Sequence, residues 1–322
     1  MKYTIPGPNV KLFGRAVQTL TKIGDELYVI ADDKTLSLKA FGASRSSYLC
    51  FRFERRFFSG TEAADEAASG YRGKLSARSS LLAFRSVQAL ERSVEECVFQ
   101  LCGDQALVVL RFRRGLSKRF WLPLVEYEEL HFSFEPDAYA SSVCGQAKLL
   151  SDVLANFPPS VPEVTLRLSP RGLDVCTHLE AADSQRAVRT SVSVQAAELD
   201  DVRCDDGGTV ELTLCLRALR AVLGFCEGLT TRLQLDAPGR PLVGSLDGVP
   251  GLEATFVSAT LGAAALAGAP PCTPERPGSG DAEARRRHRA FLLGLTEPPL
   301  DGFTSQMPRD DQVLAEASDD DD

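Results

Sequence analysis

Four hairpin-like segments recur along this 322-residue chain at nearly constant spacing. In each segment, two short runs of alternating apolar and polar residues flank a turn rich in Asp, Gly or Pro, which is typical of two paired strands. Repetition at a constant period predicts a fold in which one structural unit is used several times. The leucines at the matching position, separated by 71, 66 and 69 residues, are Leu36, Leu107, Leu173 and Leu242.

A helix-like segment precedes each hairpin. Its apolar residues recur at helical spacing, and Asn9 is a suitable N-cap for the first of these segments. The chain is therefore predicted to be an α+β protein of four helix-plus-hairpin units, each about 70 residues long. The four helical segments are residues 10–20, 79–90, 147–156 and 216–226.

Pairing the four units predicts two similar domains, residues 1–132 and 133–261, with a connector near residues 123–137. The remaining residues, 262–322, are rich in Gly, Ala, Pro, Ser and Asp and have few aliphatic side chains. A segment of that composition cannot bury enough apolar surface to fold, so we expect a disordered tail.

The formal net charge of −8 conceals an uneven distribution. Residues 1–132 contain 20 basic and 15 acidic residues, residues 133–261 contain 10 and 17, and residues 262–322 contain 6 and 12. The two domains together are nearly neutral, with a basic first half and an acidic second half. Such asymmetry indicates a polarised surface or a charged partner.

Basic residues are concentrated on the four helical segments. With their flanks, these segments carry nine basic residues against three acids. Exposure to solvent is enough to explain the basic residues of any one helix. The same sign of charge on four equivalent helices instead favours a surface that contacts the phosphate backbone of a nucleic acid without reading its bases. The nine basic residues are Lys11, Arg15, Lys22, Arg78, Arg85, Arg92, Lys148, Arg217 and Arg220.

The order of several short motifs resembles a known family, the eukaryotic sliding clamps related to proliferating cell nuclear antigen. Within that superfamily the chain is most similar to the radiation-sensitivity "nine" subunit of the DNA-damage checkpoint clamp, the nine-one-one heterotrimer. The resemblance covers about residues 1–261 and parts of the tail. The matching stretches are residues 9–11, 14–17, 23–28, 44–48, 50–53, 57–58, 225–227 and 236–241.

This resemblance implies a sliding-clamp fold of two similar domains, each with two helix-plus-sheet repeats, with helices lining the inner face of a ring and sheets outside. It implies two different clamp subunits as partners, an ATP-driven clamp loader, and double-stranded DNA encircled without sequence specificity. Repair enzymes would dock on the outer surface near the connector. A homotrimeric replication clamp is the alternative, but a tail of about 60 residues favours the checkpoint subunit.

The tail contains motifs that resemble the phosphorylated tail of that subunit. Ser318 is followed by four Asp residues, as an acidophilic kinase requires, and the resemblance implies that the phosphoserine binds a BRCT-repeat checkpoint activator. Thr273 precedes a proline and Ser305 precedes a glutamine, so both are candidate phosphosites. A basic cluster resembles a nuclear-import segment and implies a nuclear location; its residues are Arg285, Arg286, Arg287 and Arg289.

No catalytic constellation is visible in the sequence, and we expect neither an enzyme nor a bound cofactor. The three His residues are isolated from one another and from any Cys pair, which argues against a metal site. Asp200, Asp201, Asp205 and Asp206 could be metal ligands of a 3′–5′ exonuclease, an activity that has been ascribed to the family, but a solvated loop is favoured. No apolar run is long enough to span a membrane, so we expect no membrane partner.

Overall fold

The structure is a computed structural model that describes residues 1–42, 44–62, 70–85, 93–127, 139–178, 188–205 and 208–262. Four α-helices lie wholly within these described ranges, namely α1 Gly7–Ile23, α2 Ala77–Ala83, α3 Ala147–Ala155 and α4 Leu216–Phe225. The strands of the first half are β1 Lys2–Pro6, β2 Glu26–Ala31, β3 Thr35–Phe41, β4 Ser47–Glu54, β5 Gly60–Glu62, β6 Tyr71–Ser76, β7 Val94–Cys102, β8 Gln105–Phe112 and β9 Ser117–Val125. The strands of the second half are β10 Ser141–Gln146, β11 Glu163–Ser169, β12 Gly172–Thr177, β13 Ser191–Gln195, β14 Asp201–Arg203, β15 Val210–Cys215, β16 Thr230–Leu235, β17 Leu242–Asp247 and β18 Leu252–Ser258.

All four predicted hairpins are present as antiparallel strand pairs. They are formed by β2 with β3, β7 with β8, β11 with β12, and β16 with β17. Each predicted helical segment also contributes a helix that begins within a few residues of the expected start. The repeat in the sequence therefore corresponds to a repeat in the structure.

The first helix begins earlier than its sequence suggested. Residue Pro6 occupies the N-cap position without a side-chain hydrogen bond, and Pro8 lies in the first turn, where a missing N–H is tolerated. The prediction that Asn9 is the N-cap is therefore wrong. Its amide Nδ2 instead donates to the carbonyl oxygen of Phe57 at 2.8 Å, which ties the start of α1 to the loop after β4.

The second helix is shorter in the described residues than the predicted segment 79–90. It ends at Ala83, and Phe84 leaves the helical conformation with φ −117° and ψ 23°. The carbonyl of Phe84 accepts a hydrogen bond of 2.8 Å from the Gln18 side chain of α1, so a neighbouring helix supplies the partner that a further turn would have provided. Residues 86–92 lie outside the described part of the chain.

The strands form one sheet of 14 strands and one of four. The large sheet continues from the second half into the first because β18 pairs with β4 along seven residues, from Leu252 opposite Phe53 to Ser258 opposite Ser47. The small sheet has the order β13-β12-β11-β15. The predicted domain boundary between residues 132 and 133 falls between β9 and β10, outside the described residues, so it stays a prediction. The predicted connector, residues 123–137, begins within the last residues of β9.

The helices lie side by side against the sheets. Contacts join α2 to α1, α1 to α4, and α4 to α3, so the four form a row in the order α2-α1-α4-α3. The apolar stripe of α1, which includes Val10, Phe13, Val17 and Leu20, is buried in the core, as the helical spacing of these residues predicts. No helix among the described residues is long and apolar enough to cross a membrane.

Candidate nucleic-acid interface

The row of helices presents basic side chains on the face that does not pack against the sheets. The sequences of the four helices contain seven Lys or Arg residues and one acid, Asp152 of α3. The apolar residues of each helix are buried in the core, so the charged residues lie on the remaining, outward-facing surface. Such a surface attracts a polyanion.

Most of the predicted basic residues are available on this surface. Within the described residues, no hydrogen bond or ion pair engages the side chains of the following exposed group: Lys22, Arg78, Arg85, Lys148 and Arg217. Lys11 is half-buried, and it has an interaction partner. Arg92 lies outside the described residues. That these residues face DNA stays a prediction.

Arg15 has a structural role that its spacing did not reveal. Its Nη2 donates to the carbonyl oxygens of Gly224 and Phe225, both at 2.9 Å, at the C-terminal end of α4. The guanidinium also lies 5.8 Å from the centroid of the Phe225 ring and 4.0 Å from the Glu227 carboxylate. A cation at a helix C-terminus satisfies carbonyls without intrahelical partners and interacts favourably with the helix dipole. Arg15 therefore joins the first half of the protein to the second.

Arg220 makes an equivalent connection within the second half. Its Nη2 donates to the carbonyl oxygens of Leu154 and Phe157, at the end of α3. Together with Gln18, which binds the end of α2, three polar side chains of α1 and α4 bind the C-terminal carbonyls of neighbouring helices. The sequence gives the charge of such residues but not their partners, because the partners are backbone atoms up to 210 residues away.

A polar cleft of about 450 Å³ opens where the end of α1 approaches the start of α4. Lys22 and Arg217 line it together with Ser44, Ser46 and Ser47, and one acid, Asp25, also lies there. The N-terminus of α4 has no side-chain cap and no acid in its first turn. The seam between the two halves is thus a part of the helical surface where a phosphate would meet several donors.

Among the described residues, the strands that end a sheet are β5, β13, β14 and β15, and β9 has a second edge that is largely uncovered. Strand β13 pairs only with β12. Strand β9 pairs with β8 along residues 117–123, and its other edge contacts β6 only at Leu124 and Val125. Uncovered edges present unpaired N–H and C=O groups and are natural sites for a strand from another chain.

Large apolar side chains are exposed beside the open edges of β9 and β13. Trp121 and Val125 belong to β9 and are 61% and 57% exposed, and Leu116 precedes β9 at 57%. Val188, which is 84% exposed, precedes β13. The sequence alone does not mark these residues as exposed, since an apolar residue in a strand gives no indication of whether a neighbouring strand covers it.

Three of the acidic residues considered for a nuclease make contacts within the fold. The Asp201 carboxylate pairs with Arg203 at 2.9 Å, and the backbone N–H groups of Asp200 and Asp205 bind Cys144 O and Ser141 Oγ. Asp206 lies outside the described residues. No group of three or more His, Cys, Asp or Glu residues that could hold a metal occurs in the described ranges.

All tail motifs lie outside the described residues. This applies to the candidate phosphosites Thr273, Ser305 and Ser318 and to the basic cluster between residues 285 and 289.

Comparison with known proteins gives consistent results. The family model described as Rad9 matches residues 13–261. The cell cycle checkpoint control protein Rad9 of Drosophila melanogaster is 26% identical over 266 residues, which cover 81% of this chain and 57% of that protein. The cell cycle checkpoint protein hpr-9 of Caenorhabditis elegans is 20% identical over 277 residues, covering 79% and 51%. The chain spans about half the length of these curated relatives.

Solved sliding clamps share the fold at low sequence identity. The PCNA of Thermococcus kodakaraensis superposes with a TM-score of 0.64 at 13% identity, covering 80% of this chain and 99% of that one. A PCNA2–PCNA3 complex from Sulfolobus tokodaii gives 0.65 at 12% identity, covering 81% and 99%. Both the helices and the sheets predicted from the repeat therefore belong to the sliding-clamp architecture.

Proposed function

The chain belongs to the Rad9 family, and from that membership and its sliding-clamp fold we propose that it forms one arc of a ring around double-stranded DNA at sites of damage. The observation that carries the proposal is the row α2-α1-α4-α3, which has seven basic residues and one acid on its helices. The sheets lie on the opposite side, so the basic face would line the hole of the ring.

The hold on DNA is topological. Exposed side chains such as Lys22, Arg78 and Arg217 neutralise phosphates without contacting bases, so they place the duplex in the ring without selecting a sequence. The slope of log affinity against log salt is negative, and each phosphate contact that is lost lowers the magnitude of this salt slope by about 0.9. High affinity is unnecessary when the protein encircles its ligand.

The open edges of β9 and β13 support assembly into a ring. They are different surfaces, so a contact between the β9 edge of one subunit and the β13-type edge of the next is head-to-tail. Repetition of such contacts closes a ring when the rotation from one subunit to the next adds up to a full turn. We propose that two different checkpoint-clamp subunits complete it, as partners of this chain. The Sulfolobus tokodaii structure is a complex of two different clamp chains, which supports a mixed ring as a workable arrangement.

The alternative is a homotrimeric replication clamp. The mass of the purified chain distinguishes the two: the proposal predicts a monomer of 34.9 kDa alone and a 1:1:1 complex after the two checkpoint subunits are added. A stable homotrimer of the chain alone would contradict the proposal. An ATP-driven loader would open the mixed ring and place it on DNA.

The tail supplies the signal in this proposal. Phosphorylated Ser318 would carry about −1.5 to −2 charge at neutral pH and three acceptor oxygens, which a pocket of basic residues in a BRCT-repeat activator can bind. Thr273 and Ser305 are further phosphosites, and the Arg cluster at residues 285–289 directs the chain to the nucleus.

The docking role of Ser318 is tested by pulldown of the activator from damaged-cell extract. Ser318→Ala should abolish capture, whereas Ser305→Ala, a matched loss of one hydroxyl in the same tail, should leave it intact. Equal capture by both variants would contradict the assignment of Ser318.

We further propose that the chain has no catalytic activity of its own. Its contribution would be to hold DNA and recruit partners, including repair enzymes on the outer surface. A metal-dependent nuclease assay on the pure protein, with Asp205→Asn and Asp206→Asn changed together, examines the alternative. Activity that the double variant loses entirely would contradict the proposal.

A further inference from the structure

The polar cleft of about 450 Å³ at the seam brings together residues from both halves of the protein. Lys22 lies at the end of α1, Ser47 begins β4, and Arg217 lies in the first turn of α4. A second hollow, of about 580 Å³, shares Lys22 and Arg217 with the cleft. The two cations therefore border spaces of the size that small ligands occupy.

Neither cation of the cleft is used by the fold. The side chains of Lys22 and Arg217 are exposed, and no hydrogen bond or ion pair engages them within the described ranges. Arg15 and Arg220 differ from them, because their guanidinium groups bind carbonyl oxygens at helix ends. Lys22 and Arg217 are consequently available to an anion that enters the cleft.

A buried hydroxyl group lies in the wall of the same cleft. Ser47 is only 6% exposed, and a Cβ added to Gly42, which also lines the cleft, would collide with the Ser47 Oγ. No hydrogen bond engages this Oγ among the described residues, whereas the neighbouring Ser46 hydroxyl is paired with that of Ser44 at 2.7 Å. A polar group that is buried without a partner is costly, so Ser47 favours a ligand that can form a hydrogen bond here.

The first turn of α4 supplies further donors to the cleft. The Leu216 N–H donates to Pro162 O at 3.0 Å. The next two N–H groups, of Arg217 and Ala218, belong to the turn in which a helix has no acceptors of its own, and no side chain caps this helix. Arg217 and Ala218 both line the cleft, and the dipole of this ten-residue helix favours an anion at this end.

This set of donors fits the phosphate at the end of a strand better than a phosphate within it. A phosphate within a strand has one negative charge and two free oxygens, whereas a phosphate monoester has three free oxygens and about −1.5 to −2 charge at neutral pH. The side chains of the cleft carry one net positive charge, because Asp25 opposes Lys22 and Arg217. The helix N-terminus adds about half a positive charge, which brings the total close to that of a monoester.

We propose that the seam cleft binds the phosphate monoester at the end of a DNA strand, with Lys22 and Arg217 pairing with its charge and Ser47 donating a hydrogen bond. The clamp would then hold a strand end, which a break or a gap creates, as well as a continuous duplex. DNA is the favoured source of the phosphate because the cleft lies on the basic row of helices. The proposal rests on the DNA-holding function proposed above and adds one ligand to it.

Binding of two short duplexes to the purified chain tests the proposal. The first has 12 base pairs and a phosphate at all four strand ends, and the second has 16 base pairs, hydroxyl ends and about the same total charge. Non-specific binding follows charge, so the second duplex measures what the strand ends do not contribute. We expect at least fivefold tighter binding of the first duplex in 50 mM salt, measured by fluorescence anisotropy. Sodium phosphate should reduce this preference more than sodium chloride of equal ionic strength.

Substitutions assign the preference to the cleft. Arg217→Gln should nearly remove it, whereas Arg78→Gln, which removes an exposed arginine elsewhere in the same row of helices, should weaken the binding of both duplexes alike. Ser47→Ala should reduce the preference about threefold, as expected for the loss of one hydrogen bond. Asp25→Asn should increase it, because an opposing charge is removed. Equal binding of the two duplexes by the wild-type chain, or a preference that survives Arg217→Gln, would overturn the proposal.

Further results separate this inference from a different ligand and from the ring function. If a peptide of residues 313–322 with phosphorylated Ser318 binds the cleft more tightly than the first duplex, the assignment to DNA is overturned. If the chain forms a ring with two checkpoint-clamp subunits but shows no preference for phosphorylated ends, the ring function stands and the cleft proposal is overturned. If the preference is present and depends on Arg217 although no ring forms, the cleft proposal is supported and the ring function is contradicted.

Discussion

Substitution of Arg15 distinguishes a residue that holds the protein together from one that binds DNA. Arg15→Ala removes two hydrogen bonds of 2.9 Å to the carbonyls of Gly224 and Phe225, and with them the contact with the Phe225 ring at 5.8 Å. The side chain is 28% exposed, so these interactions are partly shielded from water. The loss falls on the contact between α1 and α4, which joins the two halves.

The expected cost follows from these contacts. A hydrogen bond from a charged donor contributes about 1.5–3 kcal/mol, but the two bonds share one nitrogen and are not additive. The cation–π contact adds about 0.5–1 kcal/mol, and the pair with Glu227, which is 68% exposed, adds little. We therefore expect Arg15→Ala to lower the free energy of unfolding by about 2–3 kcal/mol. Arg15→Lys should recover part of the loss, since an ammonium group lacks the fork of guanidinium donors.

The assay is urea unfolding followed by circular dichroism, with Lys22→Ala as the matched control on the same helix. Lys22 is exposed, and no partner engages its side chain in the described part of the chain, so its loss should change stability by at most about 0.5 kcal/mol. In the assembled ring, Lys22→Ala should instead lower the salt slope of DNA binding by about 0.9. The reasoning fails if Arg15→Ala is no less stable than Lys22→Ala.

Three further predictions concern the interior, the small sheet and the helical face. Burial raises the pKa of Cys226 from 9.0 to about 11, so its stabilising contribution is complete below pH 9 and is lost as pH rises through about 11. Between pH 9 and 11, the free energy of unfolding, monitored by fluorescence, should accordingly fall less steeply for Cys226→Ala than for the wild-type protein. Gly172 has φ +140°, and a Cβ there would lie 2.0 Å from Val194 O, so Gly172→Ala should detach β13 and increase hydrogen exchange at residues 191–195, whereas Gly224→Ala, where nothing lies within 4 Å of a Cβ, should not. Arg78→Ala with Arg217→Ala should lower the salt slope of DNA binding by about 1.8 in the assembled ring, without changing thermal stability; an unchanged slope would contradict their place on the DNA-facing surface.

The elements of this fold were accessible from the sequence because the same pattern occurs four times. Each helix has an apolar stripe that repeats every three or four residues, and each hairpin has a turn between two alternating runs. Leu36, Leu107, Leu173 and Leu242 mark equivalent positions, and the strands that contain or adjoin them pair as expected.

Contacts between distant backbone atoms were not accessible. The sequence shows that Arg15 is basic and lies opposite the apolar stripe of α1, but not that two carbonyls of α4 take its guanidinium. Asn9 has a side chain suited to an N-cap, but the helix already begins after Pro6, and the Asn9 amide donates to Phe57 O instead.

The open edges were likewise invisible in the sequence. An edge strand differs from an inner strand only in what lies beside it, and the neighbours of β9 and β13 are determined by the order of the whole sheet. Trp121 is therefore a surface residue for a reason that depends on the tertiary structure and not on its local sequence.

Retention on circular DNA tests the ring most directly. The chain, the two other checkpoint-clamp subunits, the loader and ATP are incubated with a nicked circular plasmid, and DNA-bound protein is separated by gel filtration before and after a single restriction cut. A ring that encircles DNA should stay on the circle in 0.3 M salt and slide off within minutes once the circle is linear. Equal retention on circular and linear DNA, or retention of this chain without its partners, would contradict the account.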